Sequence, residues 1–259
     1  MTAMTTVDAV TSANATTGSG SGSGGPLDPA GVPGVRNFRD AGGTGSLPRG
    51  VLYRSGALDR LTPDGVRTLH GLGVRTVLDL RSTPEVAARP DALAGSGIRY
   101  LHVPVFPEQR WPQEQAELYP LMAELAGRPA VAAVRQLLAA EQRAVLVHCA
   151  SGKDRTGVVV ALLQSLLGAP EAEVTADFLR SNAALGLTVA DPAVPGHATR
   201  PVAAGHLRRA LLSVRSHHGG LDEHLRAHGA ELSELAALRA AFRAPRDPGP
   251  SAPGAVTGR

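Results

Sequence analysis

The sequence predicts an α/β fold in which a phosphatase-like layout, a central and mostly parallel sheet flanked by helices, precedes a helical C-terminal half. Three observations carry that prediction. Apolar runs alternate with helical patterns between residues 51 and 148, the grammar of βαβ units. Those runs are continuously apolar rather than alternating, as strands buried on both faces are. Beyond residue 156 helical periodicity runs almost unbroken to Phe242.

Taken in order, residues 1–32 contain the tract TTGSGSGSGG and predict a flexible tail. Residues 33–243 predict one domain, and 244–259, rich in Pro and Gly, a second tail. VLY at 51–53 predicts a strand, and Thr62 caps a helix with Pro63 in its first turn. VRTVLDL (74–80) and IRYLHVPV (98–105) predict two more strands; helical patterns follow near 114–126 and 129–141. AVLVH (144–148) predicts the strand that feeds an apolar helix expected from Thr156 to Gly168, leaving 149–155 as the connecting loop. GLTVADPAVPGHATRP (186–201) interrupts the later helices. Residues 202–218 predict an amphipathic helix with Leu207, Ala210, Leu211 and Val214 inward; its basic outer face suits solvent, a lid over the site, or an acidic membrane surface.

Composition narrows the function classes. A chain of 259 residues with 43% hydrophobic content can bury one substantial core. A net charge of +3 and only 3% aromatic residues argue against a nucleic-acid partner. No apolar run is long enough to span a membrane, and the amino terminus lacks the charge and apolar run of a signal peptide. A cytoplasmic location is expected, with export by a signal-independent route left open. The one cysteine excludes a disulfide framework and a Cys-based zinc cluster. None of the nine histidines is expected to pair as metal ligands, His217 and His218 being adjacent, so no metal and no cofactor are expected.

The chemistry concentrates in HCASGKDRTG, residues 148–157, which holds both the only cysteine and the only lysine. A loop that enters a helix amino terminus directs unpaired amides and the positive end of the helix dipole into one concavity, which suits a phosphate. Ala150, Ser151, Gly152, Lys153 and Thr156 would line it, with Gly152 letting the loop curl. In that field Cys149 loses its proton readily and becomes a nucleophile. Arg155 would present a planar fork to the phosphate oxygens.

This loop resembles the signature of the cysteine-based protein tyrosine phosphatase superfamily. With VRNFRDAGG (35–43), RGVLYRSGALDRLTPDG (49–65) and TVLDLRSTPEV (76–86), the resemblance narrows to the bacterial atypical tyrosine/lipid phosphatases that carry a Lys-Asp-Arg loop. It implies a phosphatase fold, no metal, a cysteinyl-phosphate intermediate on Cys149 and a transition-state role for Arg155. It implies substrates that are phosphorylated proteins or phospholipid headgroups: phosphotyrosine first, sometimes phosphoserine/threonine or phosphoinositides.

The remaining roles stay open on the residues alone. Asp154 either protonates the leaving oxygen or braces the loop, and Asp79 is the reserve acid or else a salt-bridge partner of Arg81 or Arg54. His148 either orients the loop or is a satisfied strand-end histidine. Lys153 either contacts a second phosphate at the loop rim or is a surface charge. Trp111-Pro112-Gln113 lies where related phosphatases carry an acid, but Gln cannot donate a titrating proton, so Trp111-Pro112 reads as a degenerate remnant or, in preference, a chance dipeptide. Two rival functions share the motif's outline: a phosphate-binding pseudophosphatase, and a rhodanese-like sulfur carrier, which the loop length disfavours.

Overall fold

The computed structural model describes residues 31–108, 110–139, 144–187 and 199–243. Its sheet contains β1 (Arg39–Asp40), β2 (Leu52–Ser55), β3 (Val74–Asp79), β4 (Arg99–His102) and β5 (Ala144–His148), in the order β1-β2-β5-β3-β4. Only the β1–β2 pair is antiparallel. The register aligns Ser55 of β2 and Asp79 of β3 with His148 of β5, so three strands end together at one edge. In an open parallel sheet that edge is where ligands bind.

The central strand explains its own sequence. Every residue of AVLVH is buried. Val145 and Val147 face one core cluster and Ala144 and Leu146 the other, the period of two expected for a strand covered on both faces. Helix α1 (Pro63–Gly71), capped by the Thr62 hydroxyl, covers the smaller cluster with Leu69. The larger cluster is built by α3 (Gln115–Leu125), α4 (Gly127–Ala139), α5 (Asp154–Leu166), α6 (Glu171–Leu185), α7 (Ala204–His218), α8 (Leu221–Ala227) and α9 (Leu232–Ala241). Helix α5 is apolar on nearly every face because it runs through the middle of that layer. Gly157 permits the approach of α6: a Cβ there would stand 2.6 Å from the Phe178 ring.

Several boundaries differ from the sequence reading. Val32 is buried among Leu58, Leu69 and Val77, so the folded block begins inside the stretch assigned to the first tail; residues 1–30 and 244–259 lie outside the described residues. Helix α5 starts at Asp154 rather than Thr156, because its ladder opens with the Gly157 amide on the Lys153 carbonyl. Two elements were not anticipated: β1, only two residues long, and α2 (Thr83–Ala88). Most of the interrupting stretch, residues 188–198, lies outside the described residues. The 202–218 helix does form, as α7, with Leu207, Ala210, Leu211 and Val214 buried.

Candidate active site

The loop between β5 and α5 is shaped from outside. Three consecutive carbonyls are tied to other parts of the chain. The Ala57 amide donates to Ala150 O at 3.0 Å, the Asn37 side-chain amide to Ser151 O at 3.0 Å, and Arg54 to Gly152 O at 2.9 Å. A planar trans peptide points its N–H opposite its C=O, so tethering these carbonyls outward turns the amides of Ser151, Gly152 and Lys153 toward the concavity, an anion nest. Gly152 is obligatory here: its φ is +71°, and a Cβ would stand 2.1 Å from Ser55 O. Arg54 is itself fixed by Asp177 at 2.6 Å, and Arg39 shares that carboxylate at 2.9 Å. Burial and the neighbouring Arg54 charge lower the Arg39 pKa to about 10, which still leaves it a cation at neutral pH.

Cys149 lies at the base of this cradle, buried. Burial pushes its thiol up, but the Arg155 guanidinium and the Thr156 hydroxyl and amide push harder the other way, and the net shift is downward. The Thr156 hydroxyl has no tight hydrogen-bond partner of its own among the described residues, so its dipole is available to the sulfur. Arg155, on the second residue of α5, is clamped by Glu85 through two bonds of 2.5 and 2.8 Å. Its guanidinium also lies 5.5 Å from the centre of the Trp111 ring. Trp111 is therefore part of the site wall, which corrects its reading as a chance residue.

Asp154 occupies the first position of α5, partly exposed. Its Oδ1 accepts the Tyr119 hydroxyl at 2.5 Å, and its Oδ2 lies 3.6 Å from Lys153 Nζ. Tyr119 stacks on His206 of α7, so α3 and α7 together set the position of this carboxyl. Lys153 is not at the rim. Its side chain is 1% exposed, and Nζ donates to Arg200 O at 2.5 Å, because the segment leading into α7 lies over it. An ammonium held there supports Asp154 and the loop rather than reaching a second phosphate.

Asp79 forms the salt bridge to Arg81, the alternative to its role as reserve acid. Its side chain is fully buried, takes a bidentate contact from Arg81 (2.6 Å at the closest pair) and accepts the Tyr100 hydroxyl at 2.9 Å. Burial alone would raise its pKa, but His148 and Arg81 outweigh it and hold the carboxyl at about 2. His148 is fully buried beside it, with Nε2 2.9 Å from Asp91 and Nδ1 3.2 Å from Cys149 O. Burial lowers its pKa and the two carboxylates raise it, with the rise prevailing. His148 thus links a buried ionic cluster to the Cys149 carbonyl.

A cavity of about 400 Å³ opens beside the loop, sharing Ala150 with it. Arg36, Arg60, Arg89 and Asp59 supply its charges. Glu85 and Tyr119 escaped the sequence reading. Ser82-Thr83-Pro84-Glu85 is a capping-box sequence, and the structure forms both halves of the box, so Glu85 was legible as a helix start. That the same carboxylate would also hold Arg155, through both of its oxygens, was not. Nothing local marks Tyr119.

The chain matches the tyrosine phosphatase family over residues 30–244. It is 35% identical over 189 residues to the triple specificity protein phosphatase PtpB of Mycobacterium tuberculosis, spanning 58% of this chain and 68% of that protein. It is 30% identical over 241 residues to a tyrosine-protein phosphatase of Nostoc commune, spanning 82% of this chain and 80% of that protein. Among solved structures, P. aeruginosa TpbA matches over 70% of this chain and 88% of that one, at 21% identity and a TM-score of 0.40. Since the family match runs from one end of the folded block to the other, with His148 to Gly157 inside it, this chain belongs to the tyrosine phosphatase family.

Proposed function

We propose that the protein hydrolyses phosphomonoesters through a cysteinyl-phosphate intermediate, with phosphotyrosine proteins as its principal substrates. The observation that carries this reading is the buried Cys149, shifted toward its thiolate by Arg155 and Thr156, at the base of an inward-facing amide nest. The Cys149 thiolate attacks phosphorus as the ester P–O bond breaks, and the leaving oxygen takes its proton from Asp154. Water then attacks phosphorus, the S–P bond breaks, and the water proton returns to Asp154, releasing inorganic phosphate and the thiolate. The amides of 151–153 and the fork of Arg155 take the charge that develops on the phosphoryl oxygens, in a geometry that Glu85 has already set. Ala150 and Thr156 complete the phosphate-binding segment.

The basic cavity supports a wider range, toward phosphoserine/threonine and phosphoinositides. Three arginines beside Ala150 can hold an acidic flank or a second phosphate, the task that the buried Lys153 cannot perform. The relative PtpB is named for triple specificity, and this cavity gives breadth a physical basis here. Family membership leaves no support for the sulfur-carrier alternative. A rapid-mix assay with an activated aryl phosphate tests the proposal: a burst of the phenol stoichiometric with enzyme is expected, and rapid denaturation should trap phosphate on Cys149. Binding without turnover would make the protein a pseudophosphatase.

A further inference from the structure

Where α3, α7 and α8 meet, four titratable side chains converge: Glu124 from α3, His218 ending α7, His224 from α8 and His228 capping it. His218 Nε2 lies 2.7 Å from one Glu124 oxygen and His228 Nε2 3.6 Å from the other. The His224 ring stands beside both, its centre 4.7 Å from that of His218 and 4.6 Å from that of His228.

Packing does not explain this cluster. His224 is fully buried, yet neither ring nitrogen finds a partner in hydrogen-bond geometry among the described residues; the Ala123 backbone lends only weak support. Leaving such a group unpaired is destabilising, and an apolar side chain would avoid the cost. His228 Nδ1 donates to the His224 carbonyl at 2.8 Å. A ring held that way turns Nε2 toward a carboxylate oxygen, an arrangement that a cation on Nε2, proton or metal, completes. Room has been left for the ring as well: a Cβ at Gly127 would stand 2.3 Å from it. An Nδ1–H anchored on a backbone carbonyl with Nε2 free is how metal-ligating histidines are oriented.

We propose that Glu124, His224 and His228 bind one divalent transition-metal ion of the zinc class, with His218 available as the fourth donor. Imidazoles with one carboxylate are a donor set that suits zinc. The three donor atoms lie within 4.8 Å of one another. Tetrahedral bonds would bring them to roughly 3.3 Å apart, a closure that side-chain rotation supplies. His224 and His228, four residues apart, share one face of the helix end, a spacing that the sequence reading passed over when it expected no metal. The ion's role is structural. Helix α3 also carries Tyr119 and α7 carries His206, so fastening these helices at one end steadies the pair that holds Asp154 at the other. The buried Asp79–Asp91–His148 group differs, because the Arg81 guanidinium already supplies its cation.

The probes are cobalt(II) and zinc(II), added to the tag-free full chain carrying Cys149→Ser so that the thiol does not compete. One equivalent of cobalt with the visible absorption of a tetrahedral site is expected, displaced by zinc, and zinc should raise the melting temperature. Glu124→Gln and His228→Gln should each weaken zinc affinity about tenfold or more and remove the melting shift. Melting in chelator checks that each variant folds, and Glu124, being partly exposed, gives a variant that retains the core. Absence of saturable uptake, or uptake unchanged in both variants, overturns the site.

Discussion

Cys149 illustrates a contest of effects at a single residue: burial disfavours the thiolate, and Arg155 with Thr156 reverses the outcome. Cys149→Ser should reduce turnover at least about 10⁴-fold while phosphate-ester binding persists, because serine fits the cradle without ionising; steady-state rates and a binding titration check both halves. Asp154→Asn should slow phosphotyrosine by about 10²- to 10⁴-fold, and activated aryl phosphates, which need little protonation, far less. Equal slowing of both would assign Asp154 to bracing. Glu85→Gln should lower kcat about tenfold or more with KM little changed. The amide can still cap α2 but no longer fixes the guanidinium as a charged pair; a change confined to KM would count against a positioning role. Lys153→Ala should act on every substrate alike, whereas Arg60→Ala should penalise multiply phosphorylated ligands selectively. Matched kcat/KM series on a phosphotyrosine peptide and a phosphoinositide separate the two.

At the scale of elements, the β5–loop–α5 unit was the most legible part of the chain, because its signals are local: an apolar run, a glycine that must be left-handed, and an apolar helix. Strands β2 and β3 and helices α1 and α7 were legible for the same reason. Most of what escaped depended on partners distant in sequence, helix α2 with its local capping box being an exception. Strand β1 exists through its pairing with β2, Glu85 acquires its role from a residue on another helix, and Lys153 is covered by the segment around Arg200. Trp111 was misread because its sequence neighbour Gln113 lacks an acid, while its ring's contact is with Arg155. Gly152→Ala should unfold or disable this element: positive φ costs about 1 kcal/mol or more, and the clash with Ser55 O is with backbone that cannot yield. Far-UV and near-UV circular dichroism with a melting curve distinguish lost fold from lost site.

For the whole molecule, the buried ionic groups give stability a maximum in mildly acidic solution. Asp79 and Glu85 are both held at about 2, below their ordinary values of 3.8 and 4.5. Burial opposes both shifts; His148 and Arg81 outweigh it for Asp79, and Arg155 with Ser82 for Glu85. Their contributions, roughly 2–3 kcal/mol apiece, are present above the ordinary carboxylate range and lost as pH falls toward 2. His148 is shifted the opposite way, above its ordinary 6.5. Its contribution is complete below that value and lost as pH rises through the folded-state pKa. Urea midpoints should therefore be higher near pH 5 than near pH 3 or pH 8, and His148→Gln should flatten the alkaline limb. Asp177→Ala should cost about 3–5 kcal/mol by stranding Arg39 and Arg54 without their shared partner.

The three carbonyl tethers have a consequence for how the phosphate loop can be moved or inherited. Its shape is written by Asn37, Arg54 and Ala57, about a hundred residues upstream, and one of those groups is held in turn by Asp177 from further downstream. The ten letters HCASGKDRTG are therefore not a transplantable part. Grafted onto another strand–helix junction they would carry Cys149 and Arg155 but not the outward pull on the three carbonyls. A ribosome must likewise release the chain beyond Asp177 before Arg54 gains its carboxylate partner, so that tether is fixed only when most of the folded block exists.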